Sequence, residues 1–244
     1  MSEQAHILEV GELDLTFEPS RWEFAERQSA AIAAHWGRLT QAKPALFNGR
    51  VLLLGQRVIE TRRDGELRLK GAYFETDYAD FLAWSAFGHP GGPVDNCFAM
   101  AALRSDDGAF LLGEMAHHTY NAGQIYFPAG TPDPDDVFDN RVDLEASARR
   151  ELLEETGLLA AETNVAPDWT LAMTPQRIGC MKLMTFPLPA ARLKDRIEAF
   201  LARDPLAEFA RMHIVSDSED IDEERVPSFV ADYLRYAFAQ RSAG

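Results

Sequence analysis

Residues 150–158 read Arg150-Glu151-Leu152-Leu153-Glu154-Glu155-Thr156-Gly157-Leu158, and the second half of the chain is organised around them. The composition predicts a helix that Asp143 caps and Gly157 ends. Residues three and four positions apart share a helix face, so Glu151, Glu154 and Glu155 project together. Such a face is usually only solvated. It can also hold a hard divalent cation, Mg²⁺ or Mn²⁺, which offsets the repulsion among three carboxylates.

The flanking residues favour the second interpretation. Arg150 directly precedes the three glutamates, Thr156-Gly157-Leu158 follows them, and Phe127-Pro128-Ala129-Gly130 lies upstream. This strand–loop–helix resembles the Nudix box, G-x5-E-x7-R-E-U-x-E-E-x-G-U, where U is an aliphatic residue. Residues 150–158 match the box at every fixed position. The resemblance implies an α+β protein, a Nudix-type α/β/α sandwich with a mixed sheet, and hydrolysis of diphosphate bonds.

The first half of the box departs from the pattern. Val142 stands where the box has glutamate, and Gly130 lies 20 positions before Arg150 instead of 14. The six extra residues fall within 131–140, a segment rich in loop-forming proline and aspartate. One of three aspartates could replace the missing glutamate, and the sequence does not choose among Asp135, Asp136 and Asp139. We expect this loop to tolerate change better than the helix.

The resemblance also implies roles for individual residues. Glu151 and Glu155 correspond to the main metal ligands, Glu154 to a ligand or proton acceptor, and the carbonyl group of Ala129 to a main-chain ligand. The implied cofactor is Mg²⁺ or Mn²⁺. Arg150 is expected to orient the carboxylates through ion pairs.

A further base often lies outside the box in this family. Glu208 is our candidate, against the alternative that it is a solvated surface charge. The catalytic set is therefore Arg150, Glu154 and Glu208, and the metal set is Ala129, Glu151, Glu154 and Glu155.

Two other segments bear on the substrate. Residues 46–49, followed by a strand and a hairpin, are similar to Nudix enzymes that hydrolyse uridine diphosphate sugars. Residues 122–128 resemble coenzyme A diphosphatases, but the arginine expected in that motif falls at Thr119. The first candidate is therefore a nucleotide sugar, and coenzyme A is the alternative. A Nudix-fold sensor that binds a nucleotide without hydrolysing it is an alternative of another class.

Length and composition set the remaining expectations. A chain of 244 residues that is 46% hydrophobic can bury one large core or two small ones. The segment His89–Pro93 is a linker signal, which predicts an N-terminal α/β lobe at 1–90 and a Nudix domain at 94–244. We expect the lobe to shape the substrate site. Residues 20–43 are predicted to form one long helix, and Asp64-Gly65 a hairpin.

Charge and residue usage also restrict location and partners. The formal net charge of −15 argues against nucleic acid as a partner. No secretory signal or membrane-spanning run is visible, so the protein is predicted to be cytoplasmic, with no membrane partner. Cys97 and Cys180 have apolar neighbours and are expected to be buried free thiols. The oligomeric state does not follow from the sequence.

Overall fold

The computed structural model describes residues 4–44 and 46–243. Its strands are, in chain order, β1 (His6–Val10), β2 (Glu12–Phe17), β3 (Arg50–Thr61), β4 (Leu67–Asp77), β5 (Asn96–Arg104), β6 (Phe110–Met115), β7 (Ile125–Tyr126), β8 (Val137–Phe138), β9 (Arg141–Val142), β10 (Asn164–Val165), β11 (Trp169–Thr174), β12 (Arg177–Thr185) and β13 (Phe209–Val215). The α-helices are α1 (Glu23–Arg27), α2 (Ser29–Ala42), α3 (Tyr78–Ala86), α4 (Leu144–Thr156), α5 (Ala190–Leu201) and α6 (Ser228–Ala243).

The larger sheet has eight strands and carries the box helix. Its main order is β1-β11-β12-β5-β6-β13, with β10 beside β12 and β7 beside β6. The central pair β12–β5 is parallel, and the other pairs are antiparallel. Alternate residues of β5 enter two cores. Cys97, Ala99, Ala101 and Leu103 pack in the core that contains residues of α4 and α5, whereas Met100 and Ala102 pack with α6. Helices therefore cover both faces, which confirms the α+β sandwich.

The smaller sheet has five strands in the order β3-β4-β2-β9-β8. The antiparallel pair β3–β4 confirms the hairpin predicted at Asp64-Gly65. Strand pairing crosses the predicted boundary at residues 90–94 in both directions. The N-terminal strand β1 pairs with β11 in the larger sheet, and β9 pairs with β2 in the smaller one. The division into a lobe at 1–90 and a domain at 94–244 stays a prediction.

Residues 20–43 do not form the one long helix that their spacing predicts. Two helices, α1 and α2, meet at Gln28, whose backbone lies at φ −108° and ψ 14°. Tertiary contacts fix the short first helix separately. The ring of Phe24 packs edge-on against Phe87, with centroids 6.3 Å apart, and Trp22 packs against Trp84 at 5.8 Å. These contacts override the local helical preference.

Neither cysteine is oxidised, and both are buried as expected. Their sulfur atoms nevertheless lie 3.6 Å apart across the central strands. Within the described ranges, no helix has the length and apolar character needed to cross a bilayer.

Candidate active site

The box helix α4 begins and ends where its sequence predicts. The side chain of Asp143 accepts hydrogen bonds from the backbone N–H groups of Glu145 and Ala146, at 3.1 and 2.9 Å. Gly157 ends the helix in the left-handed conformation, with φ 68°. Ala148 and Leu152 are fully buried in the core of the larger sheet. Burial of these two residues fixes the orientation of α4 about its axis, and with it the direction in which the glutamates project.

The three glutamates differ in exposure, and two of them contact the loop before the helix. Glu155 is only 5% exposed, and its Oε2 accepts a hydrogen bond of 3.0 Å from the N–H of Ala129. The carboxylate of Glu151 lies against Gly130, where an added Cβ would come within 2.3 Å of its Oε1. Glycine at this position leaves room for the carboxylate of Glu151 in this conformation. Glu154 is exposed to solvent.

The pKa values of the clustered glutamates depend partly on Glu208, a residue distant in the sequence. Burial raises the pKa of Glu151 to about 7, with the charges of Glu154 and Glu208 adding to the rise and Arg150 opposing it. Burial also raises the pKa of Glu155 well above its usual value, and the charges of Glu151, Glu208 and Glu154 raise it further. Glu208, which directly precedes β13, thus contributes its charge to the same cluster.

Of the three candidate aspartates in the long loop, Asp136 is the one that is buried beside Arg150. Its side chain is 1% exposed, and its two oxygens accept hydrogen bonds from Nη1 and Nη2 of Arg150, at 2.5 and 3.2 Å. Arg150 also donates to Oε1 of Glu151 at 3.3 Å. Asp135 and Asp139 are exposed. The ion pair joins the long loop to the face of α4 that carries the glutamates, with the two-point geometry typical of arginine–carboxylate pairs.

The expectation that this loop tolerates change better than the helix stays a prediction, although hydrogen bonds hold part of the loop in place. Residues Pro134–Asp136 form a 3₁₀ turn, and the backbone N–H of Asp133 donates to Asp136 Oδ2 at 3.1 Å. The following strands β8 and β9 join the smaller sheet. The sequence alone leaves three aspartates as candidates to replace the missing glutamate of the box. Only the fold shows which one is buried beside Arg150.

The donor set fits a hard divalent cation. Glu151, Glu154 and Glu155 offer carboxylate oxygens, and Ala129 offers a main-chain carbonyl beside them. Across residues 4–44 and 46–243, no lysine or arginine forms an ion pair with the buried carboxylate of Glu155. In the same ranges, no three metal-ligating side chains converge closely enough to hold an ion as they stand. Binding would therefore require side-chain rotation, which the exposed Glu154 permits.

A cavity of about 230 Å³ adjoins this cluster through the same loop. Ala129, Gly130 and Thr131 form one side of it. The remaining lining includes aromatic side chains from α3, β5 and α6, namely Tyr78, Phe81, Phe98 and Phe229. Ligand pockets of proteins are typically apolar clefts with a few convergent polar groups. The cavity and the glutamates thus share Ala129 and Gly130, although none of the three glutamates lines the cavity.

Comparison with known proteins identifies a domain within the chain. Residues 97–183 match the NUDIX domain family. A search of curated protein sequences found no match. Solved structures with similar folds include the Nudix hydrolase RenU of M. smegmatis, at 16% identity over 61% of this chain and 86% of that one, with a TM-score of 0.40. A MutT protein from Methanosarcina mazei Go1 matches at 18% identity over 60% and 96%, with a TM-score of 0.40.

A NUDIX hydrolase from Nitrosomonas europaea matches at 17% identity over 62% of this chain and 90% of that one, with a TM-score of 0.34. At such low TM-scores the family assignment depends on the domain match and on the box residues. The chain contains a NUDIX domain at residues 97–183. It is a hydrolase of diphosphate bonds, from a family that acts on small molecules and generally uses a divalent metal.

Proposed function

We propose that the protein is a Mg²⁺- or Mn²⁺-dependent pyrophosphohydrolase that cleaves the diphosphate linkage of a nucleoside diphosphate derivative. The metal ligands are Glu151, Glu154, Glu155 and the carbonyl group of Ala129. One observation carries the proposal. The buried carboxylate of Glu155 lies against Ala129, within a cluster of negative charges. Among the described residues, no lysine or arginine forms an ion pair with Glu155. Such a cluster costs stability unless a cation binds it.

The protein's own residues have distinct tasks in this reaction. A bound cation would neutralise the diphosphate and lower the pKa of a water molecule. The N–H of Ala129 holds the carboxylate of Glu155, and the absence of a side chain at Gly130 admits Glu151. Arg150, fixed by Asp136, is a positioning residue for Glu151. Glu208 and Glu154 are the candidate proton acceptors, because both are exposed and their charges reach the cluster.

For the substrate we infer a nucleotide sugar, with a uridine diphosphate sugar as first candidate. The cavity beside Ala129 is lined by Tyr78 and Phe81 of α3, which belong to the part of the chain that resembles uridine diphosphate sugar enzymes. The coenzyme A alternative is less well supported. The hydroxyl group of Thr119, where that motif has arginine, donates to the carbonyl of Ala116 and offers no charge for a 3′-phosphate.

A sensor that binds a nucleotide without turnover is the alternative from another class. The complete set of box carboxylates favours the enzyme, since Glu155 is kept buried at an energetic cost that nucleotide binding alone does not require. Cytoplasmic location and the absence of nucleic-acid or membrane partners stay predictions.

The test is a hydrolysis screen with Mg²⁺ or Mn²⁺ over UDP-glucose, coenzyme A, ADP-ribose and dinucleotides, comparing kcat/KM at equal metal concentration. We expect hydrolysis that stops in excess chelator, with UDP-glucose better than coenzyme A. A tenfold preference for coenzyme A would reverse the substrate assignment. Turnover that survives chelation would contradict the proposed chemistry, and binding without turnover would favour the sensor.

A further inference from the structure

Tyr126 lies between the cavity and the cluster of glutamates. It belongs to β7, the strand that precedes Ala129 and Gly130, and it lines the cavity together with these two residues. The backbone N–H of Ala129 holds the carboxylate of Glu155 at 3.0 Å, and Gly130 lies against the carboxylate of Glu151. A substrate that occupies the cavity and extends to the glutamates would therefore pass along this segment.

Packing fixes the ring of Tyr126 close to the segment that carries Glu208. Ile125 and Phe127, its neighbours in the chain, are buried in the core cluster that contains residues of α6. Side chains alternate between the two faces of a strand. The ring of Tyr126 packs edge-on against Phe209, with centroids 6.5 Å apart, and Phe209 directly follows Glu208. The phenol group is therefore held near the candidate proton acceptor.

The hydroxyl group of Tyr126 has an unused donor. Its oxygen accepts a hydrogen bond of 3.2 Å from Nδ2 of Asn121, which also lines the cavity. Within residues 4–44 and 46–243, no oxygen accepts a hydrogen bond from this hydroxyl group in return. A tyrosine hydroxyl group can accept and donate at the same time. The bond from Asn121 thus orients the oxygen and leaves its proton available to an acceptor in the cavity.

The environment of Tyr126 keeps this hydroxyl group protonated. Burial raises the pKa of Tyr126 above its usual value of about 10, and the charges of Glu155 and Glu208 raise it further. The hydrogen bond from Asn121 opposes this rise without cancelling it. The phenol is therefore a neutral donor at physiological pH, and it lies within electrostatic range of the glutamate cluster.

A neutral donor suits this position, because carboxylates neutralise any cation beside them. Arg150, for example, is held by Asp136 and Glu151. A hydroxyl group carries no charge that the glutamates can pair with. The non-bridging oxygens of a diphosphate are negatively charged and accept stronger hydrogen bonds than neutral acceptors do. The free proton of Tyr126 is thus matched to an acceptor on the substrate.

We propose that Tyr126 binds the substrate directly, with its hydroxyl group donating a hydrogen bond to a non-bridging oxygen of the diphosphate. The inference rests on the proposed function, because it takes the diphosphate to lie between the cavity and the glutamates. The hydrogen bond forms in the ground state and persists in the transition state. Loss of such a uniform interaction raises KM and leaves kcat nearly unchanged.

The test variant is Tyr126→Phe, which removes one oxygen atom and keeps the ring that packs against Phe209. Titration calorimetry with Mg²⁺ would measure the binding of imidodiphosphate, a diphosphate analogue with nitrogen in place of the bridging oxygen. We expect the variant to bind it about 10- to 100-fold more weakly than the wild type, as for loss of a hydrogen bond to a charged group. KM for the best substrate of the hydrolysis screen should rise by a similar factor, with kcat within about threefold.

Two further variants complete the series. Tyr236→Phe is the matched control, because the hydroxyl group of Tyr236 donates to Oε1 of Glu9 at 2.8 Å and Tyr236 does not line the cavity. This variant should bind imidodiphosphate like the wild type. Asn121→Ala removes the donor that orients the hydroxyl group of Tyr126, and it should weaken binding by about 2- to 10-fold. Circular dichroism would establish that each variant is folded.

The outcomes separate this inference from the proposed function. Unchanged imidodiphosphate binding and KM in Tyr126→Phe, beside a wild type that hydrolyses diphosphates, would contradict the role of Tyr126 alone. Weaker binding by the variant, beside a wild type that hydrolyses none of them, would support the contact and contradict the proposed function. A wild type that neither binds imidodiphosphate nor hydrolyses a diphosphate would contradict both.

A second possible acceptor for the hydroxyl group of Tyr126 is the carboxylate of Glu208. In that case, imidodiphosphate binding by Tyr126→Phe would stay normal. The acidic limb of the pH profile of kcat/KM would move to higher pH, because a carboxylate that loses a hydrogen-bond donor has a raised pKa. This pair of results would overturn the proposed contact with the substrate.

Discussion

Glu155 combines features that are costly for a fold. Its carboxylate is 5% exposed and has the backbone N–H of Ala129 as its hydrogen-bond donor. The charges of Glu151 and Glu208 oppose its ionisation. Burying a charge without a counterion destabilises a protein, and residues that do so commonly serve a function instead of stability. The same carboxylate becomes favourable when a divalent cation binds beside it.

Replacing Glu155 should therefore change activity and stability in opposite directions. Glu155→Gln keeps the size of the side chain and removes the charge. We expect kcat to fall by at least about 100-fold, since loss of residues that merely support metal ligands costs about 10- to 100-fold. Without metal, the melting temperature should equal or exceed that of the wild type. With Mg²⁺, the wild type should gain stability and the variant should gain less.

Glu224→Gln is the matched control for this experiment, because Glu224 is exposed in the turn before α6. Steady-state kinetics and calorimetric melting with and without Mg²⁺ give the required quantities. Near-normal turnover by Glu155→Gln would remove this residue from the metal site. A large loss of stability in the metal-free variant would show that its role is structural.

Asp136 offers a second residue-scale prediction. It joins the long loop to Arg150, which in turn contacts Glu151. Asp136→Asn retains the shape of the side chain but weakens a charged, bidentate interaction, so kcat should fall by about tenfold or more. Asp135→Asn makes the same change at the neighbouring, exposed position and should leave kcat unchanged. Equal effects of the two substitutions would show that only the total charge of the loop matters.

At the scale of elements, Glu114 connects β6, β13 and the turn at Arg225. Its Oε2 accepts hydrogen bonds from Arg211 and His213 at 2.8 Å each and from Arg225 at 3.0 Å. Burial of Glu114 would raise its pKa, but the hydrogen bonds from His213 and Arg211 and the charges of Arg211 and Arg225 outweigh that effect and lower it. The ionised carboxylate therefore stabilises the junction of these elements.

The stability that ionised Glu114 contributes should depend on pH. A lowered pKa contributes stability above the pKa of the unfolded carboxyl group, near 4.3, and that stability is lost as the pH falls through the folded value. Glu114→Gln should therefore reduce the free energy of unfolding at pH 7 by about 1.5–3 kcal/mol. The difference from wild type should shrink below about pH 4. Urea unfolding at several pH values measures it, and a difference that does not change with pH would contradict the role of the charge.

The elements also show what local sequence can predict. Helix α4 follows from its cap, its composition and Gly157, all within one segment. Strands β1, β8 and β9 do not, because they are short and are stabilised by partners far away in the chain. The same limit applies to the site. The glutamates of the box share one helix, whereas Glu208, which precedes β13, adds its charge to them only through the fold.

At the scale of the whole molecule, the two sheets share one core. Leu15, Leu52, Leu69 and Tyr73 of the smaller sheet are buried in the same cluster as residues of α4, α5 and the larger sheet. The hydroxyl group of Tyr73 donates to the carbonyl of Cys97 at 2.9 Å. Removing either sheet would expose apolar surface and leave polar groups without partners. The N-terminal segment also supplies α3, one wall of the cavity.

The predicted domain at 94–244 should therefore not fold as an independent unit. A chain of residues 94–244 lacks β1, β2 and α3, and we expect it to aggregate or to melt without a cooperative transition. The intact chain should melt cooperatively. As a control, a protease site inserted between Gly91 and Gly92, both exposed, would allow the folded protein to be cut. The two pieces should then remain together in gel filtration and keep most of the activity, because their pairing across the cut does not depend on the linker. A cooperative melt and full hydrolysis by residues 94–244 alone would contradict this prediction. It would show that these residues form an autonomous domain and that neither the fold nor the reaction needs the N-terminal lobe.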